Sequence, residues 1–205
     1  MRFIKKWSYS LARGLSSQLN ENHEKRSVYY YGFQVVIGTV FKLAILLAVA
    51  FILGIFKETM VIMGFFIAFR TTAGGYHMDT YGKCMAASMV IFLLSGLFVH
   101  YAWSYWNAHS LAILTIIIFN VGLFSFYRWA PADTPNKPIK NEKKIKSLKR
   151  KSMILLTIST FVIFLLILKH LYVYALAGCV GTLVAVFNVT PAGYSFYDAI
   201  SGKAK

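Results

Sequence analysis

The residues able to do chemistry are gathered in one stretch. Residues 70–84, reading RTTAGGYHMDTYGKC, are the only part of the chain where glycine, histidine, cysteine and charge converge. A thiol and an imidazole together make a peptide-cleaving pair: the imidazole takes the thiol proton, the thiolate attacks a carbonyl, and the imidazolium protonates the leaving amine. Such a pair must approach to about 3–4 Å. On one straight helix, positions seven apart share a face but stand about 10.5 Å apart along the axis. A dyad of His77 and Cys84 therefore requires a break between them, and Gly74, Gly75 and Gly82 permit one. The spacing predicts His77 on a turn and Cys84 in the first turn of the next helix, where the helix dipole favours a thiolate. Gly74 and Gly75 can also turn backbone N–H groups toward an oxyanion.

Each of these residues has a plainer reading. Cys84 can be a small buried hydrophobe, and His77 an interfacial polar side chain. Asp79 can cap a helix, pair with Arg70 or orient His77. Arg70 can be a membrane-surface anchor, and Lys83 is read as one. Cys179 lies in an apolar run with no base beside it and is expected to pack. His23, His100, His109 and His170 fall at interfacial or loop positions without metal-ligand spacing, so neither a metal nor another cofactor is expected.

The elements that must position this stretch are membrane helices. The 205-residue chain is 58% hydrophobic and 14% charged, against about half and a quarter in soluble domains. Its net charge of +15 would suggest nucleic acid in a soluble protein. Here the basic residues lie between apolar runs, so the partner is the lipid bilayer and no nucleic acid is expected. Two cysteines are too few for a disulfide framework. Without repeats or linkers, a single membrane-embedded domain over 1–205 is expected.

Residues 1–31 carry Arg2, Lys5, Lys6, Arg13, Lys25 and Arg26 without an apolar core, which predicts a retained N-terminus rather than a cleaved signal. Within this arm Ile4, Trp7, Leu11, Leu15 and Leu19 recur at three- and four-residue steps, as in an amphipathic helix lying on the membrane surface. Runs 33–56, 85–103, 111–127, 153–168 and 171–189 are long enough, or nearly so, to cross ~30 Å of hydrocarbon. A further run, 59–69, stops at Arg70. The basic arm and the basic loop 128–152 should both face the cytoplasm, which requires an even number of crossings between them. The 59–69 run must then cross, continuing toward Tyr76. The expectation is an all-α polytopic bundle of about six spans: four in 33–127 and two in 153–190, the last helix ending at Pro191. Both termini and residues 70–84 would be cytoplasmic. Starting that second span at Thr59 places Arg70 about 17 Å deep, where a guanidinium needs a polar partner or cavity.

Two stretches carry a family resemblance: residues 70–84, and Ala130-Pro131 through Ile139 (APADTPNKPI) followed by the Lys/Arg run. With the order of apolar segments, the chain resembles the AgrB (accessory gene regulator B) family from about residue 10 to residue 195. The resemblance implies a membrane cysteine endopeptidase acting on an AgrD-like pheromone precursor in bacterial quorum sensing. Cys84 would be the nucleophile and His77 the general base, with a thioester acyl-enzyme, a macrocyclic thiolactone product and a homodimer. Arg70, Gly74, Gly75 and Asp79 are supporting candidates; Asp133, Asn136 and Lys137 are candidates for lining the substrate site. The inside loops offer charge to an acidic precursor tail. A small peptide transporter, or an assembly subunit, is the competing class. A transporter would place polar residues in several helices, whereas Lys42, Arg70 and Asn120 are nearly all this chain has.

Overall fold

Each apolar run becomes a helix, and most breaks between helices fall where glycine, proline or a capping side chain interrupts the pattern; between α6 and α7 the chain turns at Lys169 and His170, the latter at φ +56°. The structure, a computed structural model, describes residues 2–76, 78, 80–132 and 141–202. In order these form α1 (Arg2–Gln18), α2 (His23–Ile52), α3 (Phe56–Ala73), α4 (Tyr81–Ala102), α5 (Ala108–Trp129), α6 (Glu142–Leu168), α7 (Tyr172–Phe187) and α8 (Pro191–Ile200). A short 3-10 turn, Trp103–Tyr105, follows α4. The expected Asp133, Asn136 and Lys137 lie outside the described residues, as do His77 and Asp79.

The architecture is an all-α membrane bundle. Helices α2, α4, α5 and α6 are long and apolar enough to cross a bilayer, and a fifth span arises if α7 and α8, bent by 83°, count as one broken crossing. Helix α3 has 18 residues, about 27 Å, with Lys57 and Glu58 in its first turn and Arg70 in its last. Two expected boundaries move. Helix α2 starts at His23 rather than Phe33, because the polar turn before the apolar run is itself helical. The basic loop is helical from Glu142, where Asn141 caps α6 by accepting from the backbone N–H groups of Lys143 and Lys144.

The chain separates into two compact units, residues 1–49 and 50–205. In the first, α1 is amphipathic as its spacing predicts. One edge of its stripe, Ile4 with Ser8, Ala12 and Ser16, is buried, whereas Trp7, Leu11 and Leu19 are exposed, as suits a lipid interface. Glu21, in the turn after α1, accepts from Lys25 Nζ and the Tyr29 hydroxyl, and these bonds hold its carboxyl below the usual range.

The second unit is built around α7, which packs on α3, α4, α5 and α6. Its sequence is small on the faces that touch neighbours, which lets helix backbones approach closely without a hydrophobic drive between them. A Cβ on Gly181 would lie 2.6 Å from the Ile62 carbonyl oxygen, and one on Gly178 3.1 Å from Phe65 Cζ. Helices α3 and α4 meet the same way, at Gly96 against Thr59 and Ile55. At that end of the pair His100 Nδ1 stands 3.0 Å from Glu58 Oε1. Beneath the chemical segment lies a fully packed cluster of Phe69, Ala73, Phe126, Ala130, Leu156, Ala185, Val186 and Val189, with Phe69 stacked on Phe126 at 5.2 Å. Cys179 packs as expected: it is fully buried, with Thr115 Oγ1 at 3.4 Å.

Candidate active site

Helix α3 stops because the chain turns at two glycines. Gly74 has φ +73° and Gly75 φ +124°, conformations that side chains oppose. The turn is fastened to the exit of α5: the Ala132 N–H donates to the Ala73 carbonyl (2.8 Å), and the Gly75 N–H to the Ala132 carbonyl (3.1 Å). A Cβ on Gly74 would stand 2.3 Å from the Ala132 oxygen; one on Gly75 would stand 2.5 Å from Arg70 Nη1 and 3.0 Å from Asn188 Oδ1. Both positions need glycine on space as well as on φ. The Gly75 N–H, expected to serve an oxyanion, is instead engaged by Ala132.

Arg70 finds its polar partner in the backbone. From the last turn of α3 its guanidinium reaches forward, Nη1 donating to the Gly74 carbonyl (3.2 Å) and Nη2 to the Tyr76 carbonyl (2.7 Å). It thereby satisfies two carbonyls of the turn that follows α3. The same charge lies within electrostatic range of Cys84, Tyr194 and Tyr197.

Tyr76 is held on every side. Its N–H donates to the Asn188 side-chain oxygen (3.0 Å) and reaches the Asn188 carbonyl (3.2 Å). Its hydroxyl donates to Asp198 Oδ1 (2.8 Å) and lies 3.2 Å from Ser201 Oγ. Its ring stacks on Tyr197 at 5.2 Å and meets Tyr194 edge-on at 5.3 Å. These partners exist because Pro191 starts a helix rather than ending one. Helix α7 stops at Phe187 with Asn188 as its cap, Thr190 caps α8 by accepting from the Gly193 N–H, and Pro191 takes the first position, where no N–H is needed.

Helix α4 begins at Tyr81, capped by the Thr80 side chain, which accepts from the Lys83 N–H. Cys84 lies in its first turn, half-buried, with its N–H bonded to the Thr80 carbonyl at 3.1 Å. That is the placement the sequence predicts. Gly82 is inside the helix with open space around it and makes no break. Lys83 is more than a surface anchor: its Nζ donates to the Ser201 carbonyl at 2.7 Å. Tyr76 and Lys83, the residues preceding His77 and Cys84, therefore both reach Ser201 with their side chains. Asn188, Asp198 and Ser201 are functional candidates that sequence reading passed over. An acid and an asparagine in an otherwise apolar or basic C-terminal region were the available signal.

The sequence profile of accessory gene regulator B matches residues 8–189. The chain belongs to the accessory gene regulator B family. Among similar proteins, an AgrB-like protein 2 of Clostridium perfringens (strain 13 / Type A) is 30% identical over 160 residues, covering 78% of this chain and 75% of that protein. An AgrB-like protein of C. perfringens strain SM101 is 29% identical over 168 residues, 82% of this chain and 78% of that one. One from Listeria monocytogenes serotype 4b (strain CLIP80459) is 26% identical over 164 residues, 80% and 76%. No solved structure matches. AgrB membership agrees with the multi-pass helical architecture, and the matched range contains the whole segment from Arg70 to Cys84.

Proposed function

We propose that this AgrB protein is a membrane cysteine endopeptidase that matures a pheromone precursor, with Cys84 as nucleophile and His77 as general base. The observation that supports this reading is the convergence at Ser201: the side chains of Tyr76 and Lys83, the residues immediately before His77 and Cys84, both end on that one residue. The Arg70 guanidinium lies within electrostatic range of Cys84, the residue at which the reaction would occur.

The Cys84 thiolate adds to the scissile carbonyl near the C-terminal part of an AgrD-like precursor. Collapse of the adduct breaks the C–N bond, the leaving amine taking the proton that His77 had drawn from the thiol. The N-terminal part of the precursor stays on Cys84 as a thioester. A cysteine thiol within that fragment attacks the thioester carbonyl, forming a thiolactone ring and returning the proton and thiol to Cys84. One thioester replaces another, so ring closure needs no nucleotide, provided water is kept from the intermediate. Asp79 as an orienter of His77, and Asp133, Asn136 and Lys137 as substrate contacts, belong to the same proposal. So do the cytoplasmic placement of both termini and the site, which follows the distribution of Lys and Arg, and a homodimeric assembly.

The test is co-expression with a candidate precursor, read by mass spectrometry. Wild type should cleave it, and Cys84→Ser and His77→Ala should not, at equal protein level. Processing by either variant would sink the proposal, and export of uncleaved peptide would favour the transporter class.

A further inference from the structure

Helix α8 lies beyond the break after α7, and no step of the proposed chemistry uses a side chain of it. Its contacts, however, fall on the chemical segment. Asp198 accepts from the Tyr76 hydroxyl (2.8 Å), Tyr197 stacks on the Tyr76 ring, and the residue capping its end, Ser201, has its Oγ 3.2 Å from the Tyr76 hydroxyl and its carbonyl accepting from Lys83 Nζ. Ser201 is itself fixed, its hydroxyl donating to the Tyr197 carbonyl at 2.6 Å within the helix turn. The direction of α8 is set by the 83° bend and by the close seat of Gly193, where a Cβ would come within 2.0 Å of the Phe187 carbonyl oxygen. The helix is thus a rigid bracket, not a frayed tail.

We infer that α8 is a positioning element for the dyad, and that Asp198, acting through the Tyr76 hydroxyl, is a positioning residue of the reaction. Tyr76 immediately precedes His77 in the sequence, so holding its ring and hydroxyl limits the positions open to the next residue. Lys83 does the same for Cys84 from the opposite flank, onto the same serine. Three cationic or acidic groups frame this junction: Arg70 from α3, Lys83 from α4 and Asp198 from α8. Asp198 is the acid among them. A hydrogen bond to a carboxylate is among the stronger kinds, because the acceptor is charged. Its loss would let Tyr76, and the imidazole after it, swing between geometries of which few are productive.

The inference rests on the His77–Cys84 reading, and one experiment separates the two. The full chain in detergent is treated with iodoacetamide at neutral pH, and alkylation of Cys84 and Cys179 is followed by peptide mass spectrometry. Buried Cys179 gauges global loosening: it stays unlabelled while the bundle is intact. In wild type Cys84 should label faster than in His77→Ala. Tyr76→Phe, which keeps the ring and removes only the hydroxyl, should slow Cys84 labelling about tenfold, as should Asp198→Ala. Asp198→Asn, which still accepts a hydrogen bond, should recover most of the rate. Precursor processing should fall in kcat rather than KM in the same order. Equal labelling of wild type and His77→Ala would overturn the dyad and the bracket with it. A fast wild type, a slow His77→Ala, and Tyr76→Phe and Asp198→Ala both as fast as wild type would overturn the bracket alone. Slow Cys84 accompanied by labelled Cys179 would mean unfolding and would equally count against a positioning role.

Discussion

Gly75→Ala isolates the turn that ends α3. The new Cβ would stand 2.5 Å from Arg70 Nη1 and 3.0 Å from Asn188 Oδ1, the groups that hold the Gly74 and Tyr76 carbonyls and the Tyr76 N–H. At φ +124°, alanine also carries backbone strain of about 1–3 kcal/mol. If the turn relaxes to relieve that strain, the productive geometry is depopulated about 5- to 150-fold. Gly82→Ala is the matched control. It sits in the first turn of α4 with nothing within 4 Å of the added methyl, and alanine is the better helix former. The assay is precursor processing per molecule of membrane-inserted protein, with helix content checked by circular dichroism. Gly75→Ala should lose activity in that range at unchanged helix content, and Gly82→Ala should process within about twofold of wild type. A fully active Gly75→Ala, or an inactive and folded Gly82→Ala, would refute the assignment of the turn to the first glycine pair.

Three further outcomes follow from the packing. Arg70→Lys keeps the charge but cannot reach two carbonyls with a planar fork; loss of one charged hydrogen bond, about 1.5–3 kcal/mol, should lower processing at least about tenfold at equal protein level. Gly181→Leu drives a side chain into the Ile62 backbone across the α3–α7 contact, and overpacking of about 1–3 kcal/mol or more should lower Tm in detergent. Cys179→Ala removes a buried sulfur that touches Thr115; it should leave processing within about twofold of wild type while lowering Tm slightly.

Local pattern made the helices legible. The apolar runs predict α2 to α7, and the Gly-Gly pair predicts the break that separates Arg70 from Cys84. The first-turn position of Cys84 follows from the apolar run that begins at the next residue, Met85, and the packed role of Cys179 from its uniformly apolar surroundings. The partners of Tyr76 were not legible, because they come from more than a hundred positions downstream: Asn188 is 112 residues from Tyr76 and Asp198 is 122. No periodicity encodes which distant polar group will meet a turn. For Arg70 the sequence asks for a polar partner without saying which; the guanidinium donates to the Gly74 and Tyr76 carbonyls of the turn after α3, a geometry that no spacing encodes. Pro191 reads equally as a stop or as a first helical residue. Thr190 before it and Gly193 after it decide for a start, through a cap bond and a close approach visible only in three dimensions. Gly82 looked like a hinge beside Gly74 and Gly75, but a helix tolerates one glycine when its cap is good, and Thr80 supplies that cap.

The most direct test of the chemistry is to trap its intermediate. Full-length protein mixed with a candidate precursor and quenched in acid should show, by intact-mass spectrometry, an adduct equal to the N-terminal precursor fragment. Peptide mapping should place it on Cys84, and hydroxylamine should release it as a thioester. The adduct should be missing in His77→Ala and Cys84→Ser. Precursor cleaved with no adduct on Cys84 under any quench, or an adduct undiminished in His77→Ala, would contradict a thiol nucleophile activated by that imidazole.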